Sequence, residues 1–276
     1  VPLHGCYPFR SQGRVQAQRA MGFHPVVLTG PKHEQSWKGA RSEVEEIQGF
    51  TCYRTGAVSP NGPLPVVPEA RLVRALRRRL EEVVEKERPG VLHAHSPFLN
   101  ALPALWTARL RGIPLVYEIR AFWEDAAVDH GTYAEGSWRY RLVKAMETRV
   151  CRQADHVTVL CRALRADLVG RGVAGSKITV IANGIHPESF RAGVPDETFR
   201  REWGLEGKTV IGFIGSFYRY EGLDLLVRAF AELATRYPNL VLLLVGGGEQ
   251  EEALKRLVRN LDSSSGPSGS TKRPIA

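Results

Sequence analysis

Residues 114–131 read PLVYEIRAFWEDAAVDHG, and the first seven of them decide the fold. Leu115, Val116, Tyr117 and Ile119 form a nearly continuous apolar run instead of an in-out alternation, the pattern of a strand covered on both faces in a parallel sheet. Parallel strands need crossover helices, so matching helices are expected on either side. Upstream, GVLHAH reads as a strand and residues 99–110 as a helix. Downstream, Trp138, Leu142, Met146 and Val150 recur every four residues on a helix, followed by the strand DHVTVL, a helix over 162–169 and the strand KITVIANG. Strand and helix in alternation predict a doubly wound α/β domain whose ligands sit at the carboxyl ends of its strands.

The same reading extends to both ends. A helix is expected over 9–21, then the strand HPVVLTG, stopped by Gly30 and Pro31, and a further strand at FTCYRT. The proline-rich SPNGPLPVVPE leads into a long helix whose apolar stripe is Leu72, Leu76, Leu80 and Val83. Its other face carries Arg71, Arg74, Arg78 and Arg79, then Glu81, Glu82 and Glu85, as a solvated face does. Residues 1–184 thus form one Rossmann-like domain and 185–204, with Pro187 and Pro195, a connection. The pattern restarts at TVIGFIG, a helix lined by Leu223, Leu226, Val227, Phe230, Leu233 and Ala234, the strand NLVLLLV and a helix over 251–261. Residues 205–261 therefore read as the first half of a second such domain, and the Ser/Gly/Pro-rich 262–276 as a disordered tail. VPLHG has loop chemistry, as though the first domain's opening strand lay before Val1.

Composition bounds the function without choosing it. At 43% hydrophobic and 24% charged the chain is an ordinary globular one. A net charge of +9 favours anionic partners, whether nucleic acid, lipid headgroups or phosphorylated small molecules. No basic-aromatic module supports nucleic acid. No apolar run nears the ~20 residues that span a bilayer and no signal peptide is visible, so a cytoplasmic location is expected. Cys6, Cys52, Cys151 and Cys161 lack metal or redox spacing and read as small hydrophobes in a reducing compartment.

Two loops carry a phosphate signal. GFIGSFYRYEGLDLL puts Gly215 at a strand end and Gly222 at a helix start, where backbone N–H groups and the helix dipole can face an anion. It is neither the dinucleotide fingerprint nor a P-loop. VGGGEQ repeats the arrangement one unit later with Gly246, Gly247 and Gly248. In the first half, HAHSP sets His93 and His95 on one side of a strand. No C-x₂-C or H-x₃₋₅-H partner accompanies them, so no metal is expected; His95 is the one expected to meet a ligand, and His93 to be core. After Ile119, the residues Arg120, Trp123, Glu124, Asp125, Asp129 and His130 hang from a strand's carboxyl end, a concentration of charge that is costly to order without a task.

Together these residues resemble the retaining glycosyltransferases of family 4, of GT-B architecture. More narrowly, PLHGCYPFR, HAHSPFLNALPAL, VYEIRAFWEDAAVDHGT and GSFYRYEGLDLL resemble its exosortase A-associated members, over nearly the whole chain to about residue 260. The resemblance implies a nucleotide-sugar donor held mainly by the second domain and a lipid-linked or polysaccharide acceptor held mainly by the first, in exopolysaccharide biosynthesis, with no cofactor or metal. By position it implies Gly5, Gly215, Ser216, Arg219, Gly222, Gly246, Gly247 and Gly248 at the donor, His95, Glu118, Trp123 and Glu124 at the acceptor, and Arg120, Asp125 and His130 in catalysis. Many relatives carry Arg and Lys where this chain has Ser216 and Glu221, and their later E-x₇-E segment is absent here. Two alternatives stay open: an inactive truncated fragment, and a nucleotide-sugar epimerase of the same fold. Contact with an anionic membrane surface through the basic helix around Arg74 and Arg79 is a further expectation.

Overall fold

The computed structural model describes residues 6–31, 42–59, 67–185, 187–190 and 193–264, with backbone alone at 6–9, 189–190 and 262–264. Gly5 and the tail 265–276 lie outside the described residues. The chain divides into two compact units, Val1–Val128 with Tyr133–Asn183, and Asp129–Thr132 with Gly184–Ala276.

In the first unit, β4 (Leu92–His95), β5 (Leu115–Ile119), β6 (His156–Val159) and β7 (Ile178–Val180) form a parallel sheet in that order. His95 stands opposite Glu118, and Ile119 opposite Val159. The run that decided the fold is its centre: Leu115, Tyr117 and Ile119 are fully buried, with Val150, Val157, Val159 and Leu168 around them. The crossovers are α3 (Phe98–Arg111), α4 (Trp123–Asp129), α5 (Trp138–Gln153) and α6 (Arg162–Gly170). Gly112, in the left-handed region at φ 65°, ends α3, as a C-terminal glycine does without a Cβ penalty. Before this sheet come α1 (Cys6–Ala20), a second sheet ordered β1 (Val27–Thr29), β3 (Phe50–Arg54), β2 (Val44–Ile47), and the long α2 (Val67–Glu87). α2 buries Leu72, Val73, Leu76, Val83 and Val84.

Three local departures from the sequence reading have physical causes. The charged stretch after Ile119, for which no helix is read in the sequence, holds the short helix α4. β2 carries the polar sequence VEEI and becomes a strand only by antiparallel pairing with β3, through a turn at Gln48 and Gly49 with φ 53° and 76°. On α5, Trp138 and Leu142 are exposed and the buried face is Tyr140, Glu147, Val150 and Cys151. A repeat of four residues on a helix of 3.6 per turn drifts by ~40° each step, so the row at 138, 142, 146 and 150 winds out of the core toward its N-terminal end.

In the second unit α7 (Glu197–Glu202), capped by the Asp196 side chain, lies within the segment expected as a connection. β8 (Thr209–Ser216) and β9 (Leu240–Gly247) pair in parallel, with α8 (Leu223–Arg236) and α9 (Glu251–Ser264) packed on them. Phe217, Leu223, Val227, Phe230, Leu242, Leu244, Leu254 and Val258 make their core.

Candidate functional site

The ends of β4 and β5 gather a charged cluster. Glu118, on β5, is buried to 1% exposure and receives three guanidinium groups. Arg10 Nε and Arg120 Nε each lie 3.1 Å from its Oε1, and Arg14 pairs with Oε2. Arg10 and Arg14 sit one turn apart on α1, so a single helix face delivers both. Arg120 is itself fixed on every side: its N–H donates to Ser96 Oγ at 3.1 Å, its Nη2 to Ser11 Oγ at 3.0 Å, and the same Nη2 lies 2.5 Å from His95 Nδ1. A guanidinium only donates, so Nδ1 is the acceptor and the His95 proton sits on Nε2.

His93 Nε2 lies 3.2 Å from Glu118 Oε2, and the two imidazoles are 4.7 Å apart between ring centres. Burial, then the Arg14 and Arg120 charges, push the His93 pKa down to about 4. Burial, then Arg120, push His95 well below its ordinary value. Both rings are therefore neutral at physiological pH. Burial, then Arg10 and Arg120, lower Arg14 to about 10. His93 is thus no core residue; it faces the same carboxylate as His95. His93, His95 and Glu118 bring metal-ligand atoms within 4.8 Å of one another. The three guanidiniums on the same carboxylate make this electrostatics hostile to a cation.

The remaining residues expected in this site divide. Glu118 does not face an acceptor, because its carboxylate is consumed in holding the arginines. Glu124 does not either: it is fully buried and ion-paired to Arg171 Nη1 at 2.5 Å, with that guanidinium over the Phe122 ring. Asp125 Oδ1 accepts from the Tyr140 hydroxyl at 2.8 Å; burial, then this hydrogen bond, raises the Tyr140 pKa to about 12. Trp123 is partly exposed on α4. His130 belongs to the other compact unit, edge-on to Tyr218 and Tyr220 at 5.4 and 5.8 Å, and these two rings stack on each other.

Behind the cluster Glu147 is buried, and among the described residues no salt bridge reaches it. Its Oε2 accepts from the Phe98 N–H at 3.0 Å, capping α3, and its Oε1 accepts from the Tyr117 hydroxyl. Burial raises its pKa to about 7, against these two donors. Arg10 and Ser96 fall within the quoted PLHGCYPFR and HAHSP without a role read for them, Ser11, Arg14 and Glu147 fall in no quoted stretch, and only the fold brings them to this cluster.

The second unit offers backbone instead. Parallel pairing sets Gly215 opposite Gly246 and Ser216 opposite Gly247, so the two glycine bends leave adjacent strand ends. The bends are locked together: Phe217 N donates to Gly247 O at 2.8 Å and Gln250 N to Phe217 O at 3.0 Å. Gly246 has φ 146°, and a Cβ there would overlap the Gly215 carbonyl oxygen. Gly248, at φ 145°, would bring a Cβ within 3.1 Å of Phe217 N. Gly222, at φ 66°, opens α8 with no side-chain cap, leaving first-turn N–H groups for an anion. In the turn before α8, Arg219 N donates to the Glu249 carboxylate at 3.2 Å, so an acidic side chain already sits at this loop.

A doubly wound parallel unit with charge at its strand ends, followed by a β/α unit with paired glycine bends, is the GT-B class of fold, and solved structures agree. WaaG, described as a glycosyltransferase involved in lipopolysaccharide biosynthesis, matches at TM-score 0.60 and 16% identity over 95% of this chain and 65% of that one. Anabaena HepE in complex with UDP and glucose matches at TM-score 0.56 and 16% identity over 79% and 54%. The chain belongs to the family described as glycosyl transferase 4-like domain, which matches residues 10–184; residues 195–265 match glycosyl transferases group 1. It is 30% identical to a GDP-mannose-dependent alpha-(1-6)-phosphatidylinositol monomannoside mannosyltransferase of Mycolicibacterium smegmatis, over 86% of this chain and 56% of that protein. A GDP-mannose-dependent alpha-mannosyltransferase of Mycobacterium tuberculosis is 28% identical over 66% and 43%. The chain thus spans about half the length of the curated relatives it matches.

Proposed function

We propose that the chain supplies the acceptor unit and part of the donor unit of a retaining glycosyltransferase of the exosortase A-associated type. It moves a sugar from a nucleotide-sugar donor to a lipid-linked or polysaccharide acceptor in exopolysaccharide biosynthesis. The observation that carries this reading is the pair of interlocked glycine bends at Gly215 and Gly246 on adjacent strand ends, followed in the chain by the uncapped start of α8. Family membership and the UDP and glucose named with HepE support a nucleotide-sugar as the anion.

On this reading the diphosphate leaves against amide dipoles and Arg219, and the departing phosphate takes the acceptor's proton on the same face. Such front-face substitution needs neither a paired acid and base nor a bound metal. Arg120, held rigid by Ser11, Ser96, His95 and Glu118, is the preorganised cation of the first unit.

The test is to incubate the chain with UDP-glucose and GDP-mannose, with and without acceptor glycolipid, and measure nucleoside diphosphate release and anomeric configuration. Acceptor-dependent release with retention is expected. Inversion removes the retaining mechanism, epimerised donor without acceptor favours the epimerase, and no binding of any nucleotide sugar favours an inactive fragment.

Contact with an anionic membrane belongs to the same proposal. α2 and α3 border a groove of about 460 Å³ lined by Arg77, Trp106, Arg109 and Leu110, with the Arg77 guanidinium 5.7 Å from the Trp106 ring centre. An exposed indole beside arginines suits a headgroup layer. No described helix is long and apolar enough to cross a membrane. Binding to phosphatidylserine vesicles that salt abolishes is expected; binding indifferent to salt and lipid charge overturns it.

A further inference from the structure

Glu147 ties α5, α3 and β5 together. It stands on α5 with its side chain fully buried, and its two oxygens serve different partners: Oε2 accepts the Phe98 N–H at 3.0 Å where α3 begins, and Oε1 accepts the Tyr117 hydroxyl from β5. The need for the first contact is local. The cap residue of α3 is Pro97, which makes no side-chain hydrogen bond to the helix. A helix start leaves its first N–H groups without intrahelical acceptors, and its dipole favours a negative charge there. α3 therefore takes its cap from a helix 49 residues further along the chain.

The tie continues into the candidate site. Ser96, just before Pro97, donates its N–H to Glu118 O at 2.8 Å, and its hydroxyl accepts the Arg120 N–H at 3.1 Å. In the first turn of α3, the Asn100 side-chain amide donates to His95 O at 3.3 Å. The segment from His95 to Asn100 is thus held by Glu147 on one side and bonded on the other to the strand end that presents Arg120. Tyr117 and Glu118 are consecutive on β5 and point to opposite faces of the sheet, so Glu147 grips from one face the strand whose other face meets Arg10 and Arg14.

The titratable groups around Glu147 are Tyr117 on β5, Cys151 one turn along α5, Glu124 on α4 and Arg171 after α6. Burial pushes the Tyr117 hydroxyl and the Cys151 thiol up, so both stay neutral, and Glu124 is paired with Arg171. Glu147, raised by burial to about 7, is the member that changes charge near neutrality. Ionised, it receives both donors on a full negative charge, and charge-assisted hydrogen bonds are roughly twice as strong as neutral ones. Protonated, one of its oxygens becomes a donor and the charge is gone.

We propose that Glu147 is a positioning residue: its ionised carboxylate fixes the start of α3 and, through the Ser96 hydroxyl, the strand end carrying Arg120, and protonation loosens both. The effect on turnover rests on the transferase reading above; the tie itself rests only on these contacts. The local hold tightens as pH rises, although desolvation of the charge lowers the stability of the fold as a whole.

The test follows the Phe98, Ser96 and Arg120 amide resonances of the full chain by NMR on either side of pH 7, with sugar transfer measured over the same range. In the parent all three resonances are expected to shift with one midpoint near pH 7, and exchange protection of Phe98 to rise about fivefold above it. Turnover should rise by a similar factor through the same midpoint, with KM little changed. Glu147→Gln keeps an oxygen for Phe98 but cannot ionise, so its resonances and turnover should stay flat at the low-pH level. Should that variant fail to fold, Tyr117→Phe removes a donor that favours the charge, and the Phe98 midpoint should move to higher pH. A midpoint that neither substitution alters overturns the proposal, as does a Phe98 shift that Ser96 and Arg120 do not share. Resonances that titrate together in a chain that transfers no sugar support the tie and remove the transferase reading. Transfer with a pH profile untouched by Glu147→Gln keeps that reading and overturns the positioning role.

Discussion

The strand ends of the two units are built in opposite ways. At the end of β5 the first unit uses side chains: three arginines converge on Glu118 with two neutral histidines at their rim. At the ends of β8 and β9 the second unit uses the absence of side chains, with glycines whose Cβ atoms would strike neighbouring backbone. Side-chain recognition depends on pH and tolerates graded change. Backbone recognition is steric, indifferent to charge and intolerant of a single added carbon. On the proposed function, the difference suits one unit for variable acceptors and another for an invariant diphosphate.

The sharpest way to break the comparison is Gly246→Val. Overlap with the Gly215 carbonyl and a φ of 146° should cost more than about 4 kcal/mol and unfold the second unit, seen in denaturant titration. A variant as stable as the parent would show that the bends are not sterically locked. Glu118→Gln attacks the other side: three partly buried guanidiniums lose their shared carboxylate, and a loss of about 3 kcal/mol is expected in the first unit. Arg120→Ala should lower turnover roughly 100-fold, about 3 kcal/mol of barrier, with fold retained by circular dichroism. Unchanged turnover removes Arg120 from the mechanism.

A smaller effect tests the dependence on pH. The His93 pKa is depressed from 6.5 to about 4, so its contribution to stability is complete above pH 6.5 and disappears as pH falls toward 4. Glu147 is raised from 4.5 to about 7, so its contribution is complete below pH 4.5 and disappears as pH rises through 7. The two slopes oppose each other between these limits. Glu147→Gln should therefore steepen the loss of Tm on acidification from pH 7 to 4.5, and the double change His93→Gln with His95→Gln should reverse its sign. Parallel profiles for parent and both variants would contradict the assignment. The smallest effect is expected at Glu249→Gln, under about 0.5 kcal/mol, because the amide oxygen still accepts from Arg219 N at a solvated loop.

The candidate site was only partly legible beforehand, and the residues show why. Gly215, Gly222 and Gly246 announce themselves because a missing side chain at a strand end or helix start has few other uses. Arg120 was visible because it follows a buried strand directly. Arg10 and Arg14, more than a hundred residues from Glu118, look like any cations on a polar helix. Glu124 and Glu118 were misjudged as ligand-facing, since sequence shows a charge but not the guanidinium that already occupies it.

From the order of its residues alone this chain fixes a parallel α/β architecture, because local runs such as LVYEI and VLLLV carry the strand signal within themselves. It also fixes the two phosphate-type bends, since glycine geometry is a property of one residue. Only the tertiary structure decides which charges meet: that Arg10 and Arg14 turn toward Glu118, that His93 joins His95, and that Glu147 caps α3 from another helix. Electrostatic pairing acts over a few ångströms of space, and sequence separation says nothing of that distance until the sheet brings its strand ends together.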